Sequence, residues 1–302
     1  MAHASVQPRM GVPAIPEVRV GSWNELNDEL YADALQPRRG RFRPSLAFRG
    51  VGIANDNLAT KLARLGSPSD RIEQHLLRDL RKYAAGSETA KGDEVWNWLA
   101  LGQHHGLPTR LLDWTYSPLV ALHFATADET RFEQDGVVWC VDYETTNTYL
   151  PQTLADLLRR EGVGVFTAEM LTQASSTLQA FDALAAEPFV VFFEPPSLDE
   201  RITNQFALFA LMSSPTANLG CWLRRSRGLA RRVILPSELK WEIRDRLDQA
   251  NITERVLFPG LDGISSWLRR YYGPRHRATA AEDVLPPTSG TPCRKRPRRS
   301  MR

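Results

Sequence analysis

The chain has 302 residues, of which 42% are hydrophobic, with a formal charge of +3 and three cysteines. That length and apolar content can fill a packed core, which excludes a disordered or fibrous protein. Cys140, Cys221 and Cys293 have no paired spacing, so neither a disulfide framework nor a zinc site is expected, and no metal is assigned. Residues 1–16 lack the apolar stretch of a signal peptide, and no run reaches the length of a membrane span. The expected location is the cytoplasm, with no membrane partner.

Ser22-Trp23-Asn24-Glu25 is a capping box that opens a helix to about Ala34. Leu46 to Arg49 reads as a strand. Ser67-Pro68 opens a longer helix to about Ala84, with Ile72, Leu76, Leu80 and Tyr83 on one face. Trp96, Leu99, Ala100 and Gln103 recur at helical spacing, so a helix from near Asp93 ends at His104 or His105, with Gly106 as its left-handed stop. Ser117-Pro118 starts a buried helix over 119–127, because a serine hydroxyl caps free backbone donors and proline is preset at helical φ. Between these helices, 109–116 is expected to be a polar loop. Runs 136–143, 189–194, 206–212 and 232–235 read as strands, 148–160 and 167–185 as helical, and Ser237 caps a helix to Ala250. A last helix covers Leu261 to Tyr272. No linker divides residues 20–272, which are expected to form one domain after a flexible 1–19. The Pro-, Thr- and Arg-rich 273–302 are expected to be a disordered tail.

Chemically capable side chains concentrate in residues 101–127, which hold His104, His105, Arg110, Asp113, Trp114, Thr109, Thr115 and Ser117 between apolar flanks. Arg110 and Asp113, three apart, either pair or face a ligand, since an isolated buried charge costs several kcal/mol. Trp114 is either a core aromatic or a site wall. One of the two adjacent histidines is expected to pack and the other to face out.

Four ordered blocks carry a family resemblance. They are Phe48-Arg49-Gly50, then Gln103-His104-x-Gly-Leu-Pro-Thr-Arg-Leu-Leu-Asp-Trp-Thr, then Arg201-Ile202-x-x-Gln205-x-x-Leu-Phe209, and finally Leu257-Phe258-Pro259-Gly260-Leu261-Asp262-Gly263. Over roughly residues 20–272 the chain resembles the FRG domain family, and it is distantly similar to ADP-ribosyltransferases. The resemblance implies an α+β fold, a mixed, mostly antiparallel split sheet with surrounding helices, acting on NAD. Scission of the nicotinamide–ribose bond passes through an oxocarbenium-like state, which needs a cation, ribose-fixing hydroxyls, an aromatic wall and an anion. It implies Arg49 as the clamp, Thr115 and Ser117 as ribose positioners, and Trp114 or Tyr116 as the wall. Thr109, Arg110 and Arg201 complete the NAD lining, and His104, Asp113 and Gln205 join Arg49 as the catalytic set.

The transferase pattern closes on a last strand, matched here by the 201–211 segment, that carries Glu or Gln, one residue, then Glu, whereas this chain reads Gln205-Phe206-Ala207. Asp113, or else Glu194, Asp199 or Glu200, is left to supply the charge. Asp113 is preferred, because Asp199 and Glu200 read as turn acids beside Pro195-Pro196.

The last twelve residues carry six Lys or Arg and no acid, so without them the formal charge falls from +3 to −3. That tail, with the cluster Arg38-Arg39-Gly40-Arg41-Phe42-Arg43, fits a nucleic acid or an acidic partner. The leading expectation is a toxin or phage-defence effector that moves ADP-ribose from NAD to nucleic acid or protein, with an antitoxin-like neutralising partner. The alternatives are a non-catalytic nucleotide or nucleic-acid binding module, and a metal-independent His104/Asp113 nuclease or hydrolase.

Overall fold

The computed structural model describes residues 15–32, 34–36, 40–66, 69–84, 94–197, 199–226 and 228–273. Most of the expected N-terminal segment, Arg38 and Arg39, the Ser67-Pro68 helix start, Asp93 and the 274–302 tail lie outside those residues.

Ten strands are present among the described residues: β1 (Glu17–Arg19), β2 (Leu35–Gln36), β3 (Arg41–Phe42), β4 (Leu46–Val51), β5 (Leu111–Thr115), β6 (Gly136–Asp142), β7 (Phe166–Thr167), β8 (Val190–Glu194), β9 (Ala207–Met212) and β10 (Ala230–Leu235). Eight form one open sheet in the order β1-β10-β6-β4-β5-β9-β8-β7, and β2 and β3 pair separately. The two outermost pairings of the large sheet are parallel and the rest antiparallel. The fold is α+β with the mixed sheet expected.

The sheet divides at its centre. β4 pairs with β6 over six residues and β5 with β9 over five, but β4 and β5 share only Phe48↔Thr115. One face is covered by a continuous core that includes Ala47, Leu112, Trp114, Trp139, Phe192, Leu208 and Ile234. On the other face the core is in two pieces. One lies under Leu111, Phe193 and Phe209 with Trp96 and Leu99, the other under Phe48, Val138 and Val233 with Ala121 and Leu122. The interval between these pieces is the split.

The Ser22 and Ser117 caps read from sequence are formed, whereas Ser237 opens a single 3-10 turn, Ser237–Leu239, and the helix Lys240–Gln249 that follows has no side-chain cap. Ser22 Oγ accepts from the Glu25 amide at 3.2 Å, while the Glu25 carboxylate reaches Gly21 N at 2.7 Å, one residue before the cap. Ser117 Oγ accepts from Val120 N, opening the helix Pro118–Ala125. Val95–His104 ends before Gly106, whose φ of +84° is left-handed. This Pro118–Ala125 helix lies directly on β4. A Cβ on Gly50 would stand 1.7 Å from the Ala121 carbonyl oxygen, so only glycine permits the contact.

Several expectations are corrected. Residues 111–115 are a strand, because Leu111 and Leu112 enter opposite cores and the segment pairs with β9. The 201–205 segment, expected to be part of a strand, is a short helix Glu200–Asn204 whose N-cap Asp199 accepts from Ile202 N at 3.2 Å. Helix Ser69–Ala84 buries Glu73 and Leu77 and leaves Tyr83 80% exposed, since Glu73 turns inward to meet Arg110. The 167–185 region is two helices, Ala168–Ala174 and Leu178–Asp182, divided where Thr177 caps the second.

Behind the split, a charged brace ties helix Leu261–Tyr272 to the body. Arg270 makes paired hydrogen bonds of 2.6–2.8 Å to both Asp248 and Glu254. Arg244 Nη1 donates to His123 Nδ1 at 2.9 Å, and since a guanidinium can only donate, that nitrogen is unprotonated and His123 is neutral. Burial, seconded by Arg244, pushes His123 down to about 3. Burial alone would raise Glu254, but the Arg270 hydrogen bonds and Arg244 bring it down to about 2.

Both folded-state values are depressed, so both contributions are full at neutral pH. The His123 contribution is lost as pH falls from about 6.5 toward 3, and that of Glu254 as pH falls from about 4.5 toward 2. Urea unfolding is expected to show stability declining from pH 6.5 to 5, by up to about 1.4 kcal/mol per pH unit, with a shallower slope in His123→Gln. Gly50→Ala is expected to cost about 3 kcal/mol or more in the same assay at pH 7.

A candidate active-site cleft at the split of the sheet

Where β4 and β5 part, a cleft of about 670 Å³ opens, a size suited to a nucleotide-class ligand. Its floor is the Phe48–Gly52 segment on one side and Asp113–Thr115 with Ala207 and Phe209 on the other. His104 and His105 come from the end of helix Val95–His104, Phe124 from the last turn of the buried helix and Arg131 from beyond it, and Arg201 and Gln205 from helix Glu200–Asn204 and its C-cap ahead of β9.

Arg49 sits at the division itself. Its Nη1 donates to the backbone carbonyl of Asp113 at 2.5 Å and lies 3.9 Å from that residue's carboxylate. The guanidinium thus occupies an acceptor on the strand edge that β4 leaves unpaired. Its Nε is buried with no hydrogen-bond partner, and burial lowers its pKa against the pull of Asp113. An arginine stays cationic under such a shift.

Asp113 is the exposed residue of its strand, its side chain 57% accessible. Both carboxylate oxygens accept from Gln103 Nε2 at 2.9 Å, and Gln103 Oε1 accepts in turn from the Thr109 hydroxyl at 2.5 Å. A carboxylate only accepts, so the amide nitrogen of Gln103 must face Asp113 and its oxygen is left to the Thr109 hydroxyl. Asp113 is therefore aimed and held without being neutralised by a close ion pair.

His104 Nε2 meets Asp199 at 2.8 Å, and burial lowers its pKa although Asp199 pulls the other way. Arg201 stacks on Phe258 at 4.9 Å, and Gln205 Nε2 and Asn204 Nδ2 each donate at 2.9 Å to the carbonyls of Leu257 and Val256. Phe258 also meets the cleft-lining Phe124 edge-on at 6.2 Å. A Cβ on Gly263 would lie 1.8 Å from the Phe258 carbonyl oxygen, so the last motif block is closed by a glycine that the packing requires.

The FRG domain family model matches residues 44–134. The chain carries an FRG domain. No curated protein and no solved structure matches the chain. The FRG segment contains both lips of the split, and its name motif divides the labour: Phe48 fills the core at 1% exposure, Arg49 bridges the gap and Gly50 admits the helix.

Of the residues assigned from sequence, Arg49, His104, Asp113, Trp114, Thr115, Arg201 and Gln205 line the FRG cleft. Trp114 is 3% exposed, and its ring packs on Phe192 in the continuous core. Thr115 Oγ1 donates to the Gln205 carbonyl at 2.7 Å and accepts from Ser117 N at 3.0 Å, so it ties β5 to the turn. Thr109, Arg110, Tyr116 and Ser117 fall outside the lining. Thr109 steadies Gln103, Ser117 caps a helix, and Tyr116 hydrogen bonds to Glu194 at 2.9 Å. Arg110 is 3% exposed between Glu73 and Asp182, whose carboxylates raise its pKa against burial. The paired reading of Arg110 holds, but its partners are those two acids and not Asp113. Sequence reasoning missed Gln103 as the holder of Asp113, and Phe124 as an aromatic on the wall. Gln103 heads the central motif on the buried face of its helix, which was the available signal.

The Arg41–Phe42 hairpin joins the Leu46 end of β4, whereas the cleft is lined from Phe48 onward. Its sequence proximity to Arg49 does not place it on the cleft.

Arg110→Ala should cost about 3–5 kcal/mol by leaving the buried Glu73 and the half-buried Asp182 without their cation, whereas Asp113→Asn should change stability by less than about 0.5 kcal/mol. Denaturant midpoints of the two variants at pH 7 measure the contrast.

Proposed function

We propose that the FRG cleft is the active site of an ADP-ribosyltransferase that takes NAD as substrate and a nucleic acid as acceptor. The observation that carries this reading is the Arg49–Asp113 pair, an aimed carboxylate beside a cation at the bottom of a nucleotide-sized cleft.

In the reaction, the bond from ribose C1′ to the nicotinamide nitrogen breaks, and its electron pair leaves with neutral nicotinamide. The acceptor nucleophile then bonds to C1′ and gives up a proton. Asp113 is placed to stabilise the oxocarbenium-like centre electrostatically. The antiparallel register supports that role: Thr115 pairs with Ala207, where the transferase pattern expects Glu, and Asp113 stands two residues along the same strand. The acid is thus supplied by β5 in place of β9. Arg49, Lys61, Arg131 and Arg201 give the cleft the cations that a diphosphate needs, and Phe124 supplies an apolar wall. With Thr115 and Ser117 engaged in the fold, ribose positioning passes to Asp113 and Gln205.

His104, oriented by Asp199, is placed to accept the acceptor's proton. The same pair favours a second reading, a hydrolase that cleaves nucleic acid without NAD. Uncontrolled modification of nucleic acid would harm a host cell, so a toxin or phage-defence role with a neutralising partner belongs to the transferase reading. Among the described residues no helix is long and apolar enough to cross a membrane.

Wild-type protein incubated with adenylate-labelled NAD and separate pools of RNA, DNA and protein is expected to label nucleic acid, and Asp113→Asn to lose about 100-fold or more of that rate. Absence of labelling by wild type sinks the transferase reading. Cleavage of nucleic acid without NAD, abolished by His104→Ala, would put the hydrolase in its place.

A further inference from the structure

Phe206 combines two unfavourable features at one position. It is 59% exposed, although a phenylalanine gains by burial, and its φ of +47° lies in the left-handed region that bulky L-residues avoid. Glycine or asparagine would fit that backbone with less strain. The conformation is firmly imposed: Phe206 N donates to the Thr203 carbonyl at 3.1 Å, and the Phe206 carbonyl accepts from Tyr116 N at 3.1 Å. Its neighbours on both sides, Gln205 and Ala207, line the cleft. The chain therefore holds a largely exposed aromatic ring between two cleft-lining residues, in a backbone conformation that costs the fold. Such local strain is retained where it positions a group for a ligand.

We infer that Phe206 is an acceptor-recognition residue, its ring a stacking platform for an unpaired base of a single-stranded nucleic acid entering the cleft. This inference rests on the reading of the cleft as a site that modifies nucleic acid. The charge of the cleft agrees with that class of acceptor. Lys61, Arg131 and Arg201 line it, and basic side chains combined with an aromatic are how single strands are held without sequence readout. The ring takes no part in bond making.

Binding of a fluorescent mixed-sequence 12-mer RNA or DNA, measured by anisotropy without NAD, tests the assignment together with thermal melting. Phe206→Asn is expected to bind at least about tenfold more weakly than wild type, while melting at the same temperature or higher because the backbone strain is relieved. Phe206→Tyr, which keeps ring and strain, is expected to bind like wild type. The inference is overturned if wild type binds neither 12-mer, if Phe206→Asn binds as tightly as wild type or melts lower, or if Phe206→Tyr is as weak as Phe206→Asn. It is overturned equally if the labelling experiment puts ADP-ribose on protein alone. Because binding is read without NAD, a protein that binds through Phe206 yet never turns over NAD would fail the transferase reading and leave this one standing.

Discussion

The broken ladder between β4 and β5 is the constraint from which the site follows. Two adjacent strands of one sheet share a single residue pair, Phe48↔Thr115, and then diverge. Divergence exposes edge groups that a continuous sheet would have consumed, and an unsatisfied backbone group away from water is costly. Arg49 answers that cost at the Asp113 carbonyl, and in doing so brings a guanidinium to the floor of the cleft. Structure and prospective chemistry are thus served by one side chain.

The divergence is stabilised from outside. On one side Gly50 lets the helix Pro118–Ala125 close onto β4 at backbone contact, which fixes where that half of the sheet can lie. On the other side Arg110 draws Glu73 and Asp182 together at the start of β5. A third support comes from Gly263 and Phe258, which back the Arg201–Gln205 turn and are held to the body by Arg270. Each support uses a residue with a narrow tolerance, either a glycine without room for a Cβ or an arginine saturated by paired acids. The four motif blocks thus have a common physical meaning, because all of them border or brace one opening.

How much of this was legible depended on the kind of signal. Helix ends set by Ser22, Ser117 and Gly106 were readable because caps are local chemistry, and the apolar runs of β6 and β8 were readable because both their faces are buried. β5 was hidden by the same property combined with an acid: Leu111, Leu112 and Trp114 are buried on both sides while Asp113 looks into the cleft, so neither an alternating nor a continuous apolar pattern results. The Glu200–Asn204 helix was mistaken for strand because its only local marker, the Asp199 cap, also reads as a turn acid. Arg49, Asp113 and Gln205 were found through motif order, whereas Thr115 and Ser117 look like ligand hydroxyls until their backbone partners are known. Only tertiary contact separates a hydroxyl that waits for substrate from one that closes a turn.

The path of the chain across the split has a consequence for what counts as a unit here. One half of the sheet is β1, β10, β6 and β4, and the other is β5, β9, β8 and β7, yet the chain passes between them four times, from β4 to β5, β5 to β6, β6 to β7 and β9 to β10. The segment 44–134 that carries the FRG match therefore contributes one strand to each half and none of their other paired neighbours. Excised, it would leave both strands without β6 and β9, and the Ala121–Ala125 surface without Ile243 and Leu247. The FRG segment is accordingly a keystone set between two half-arches: recognisable by its own shape, but holding that shape only while the flanking masonry, drawn from both ends of the chain, presses on it.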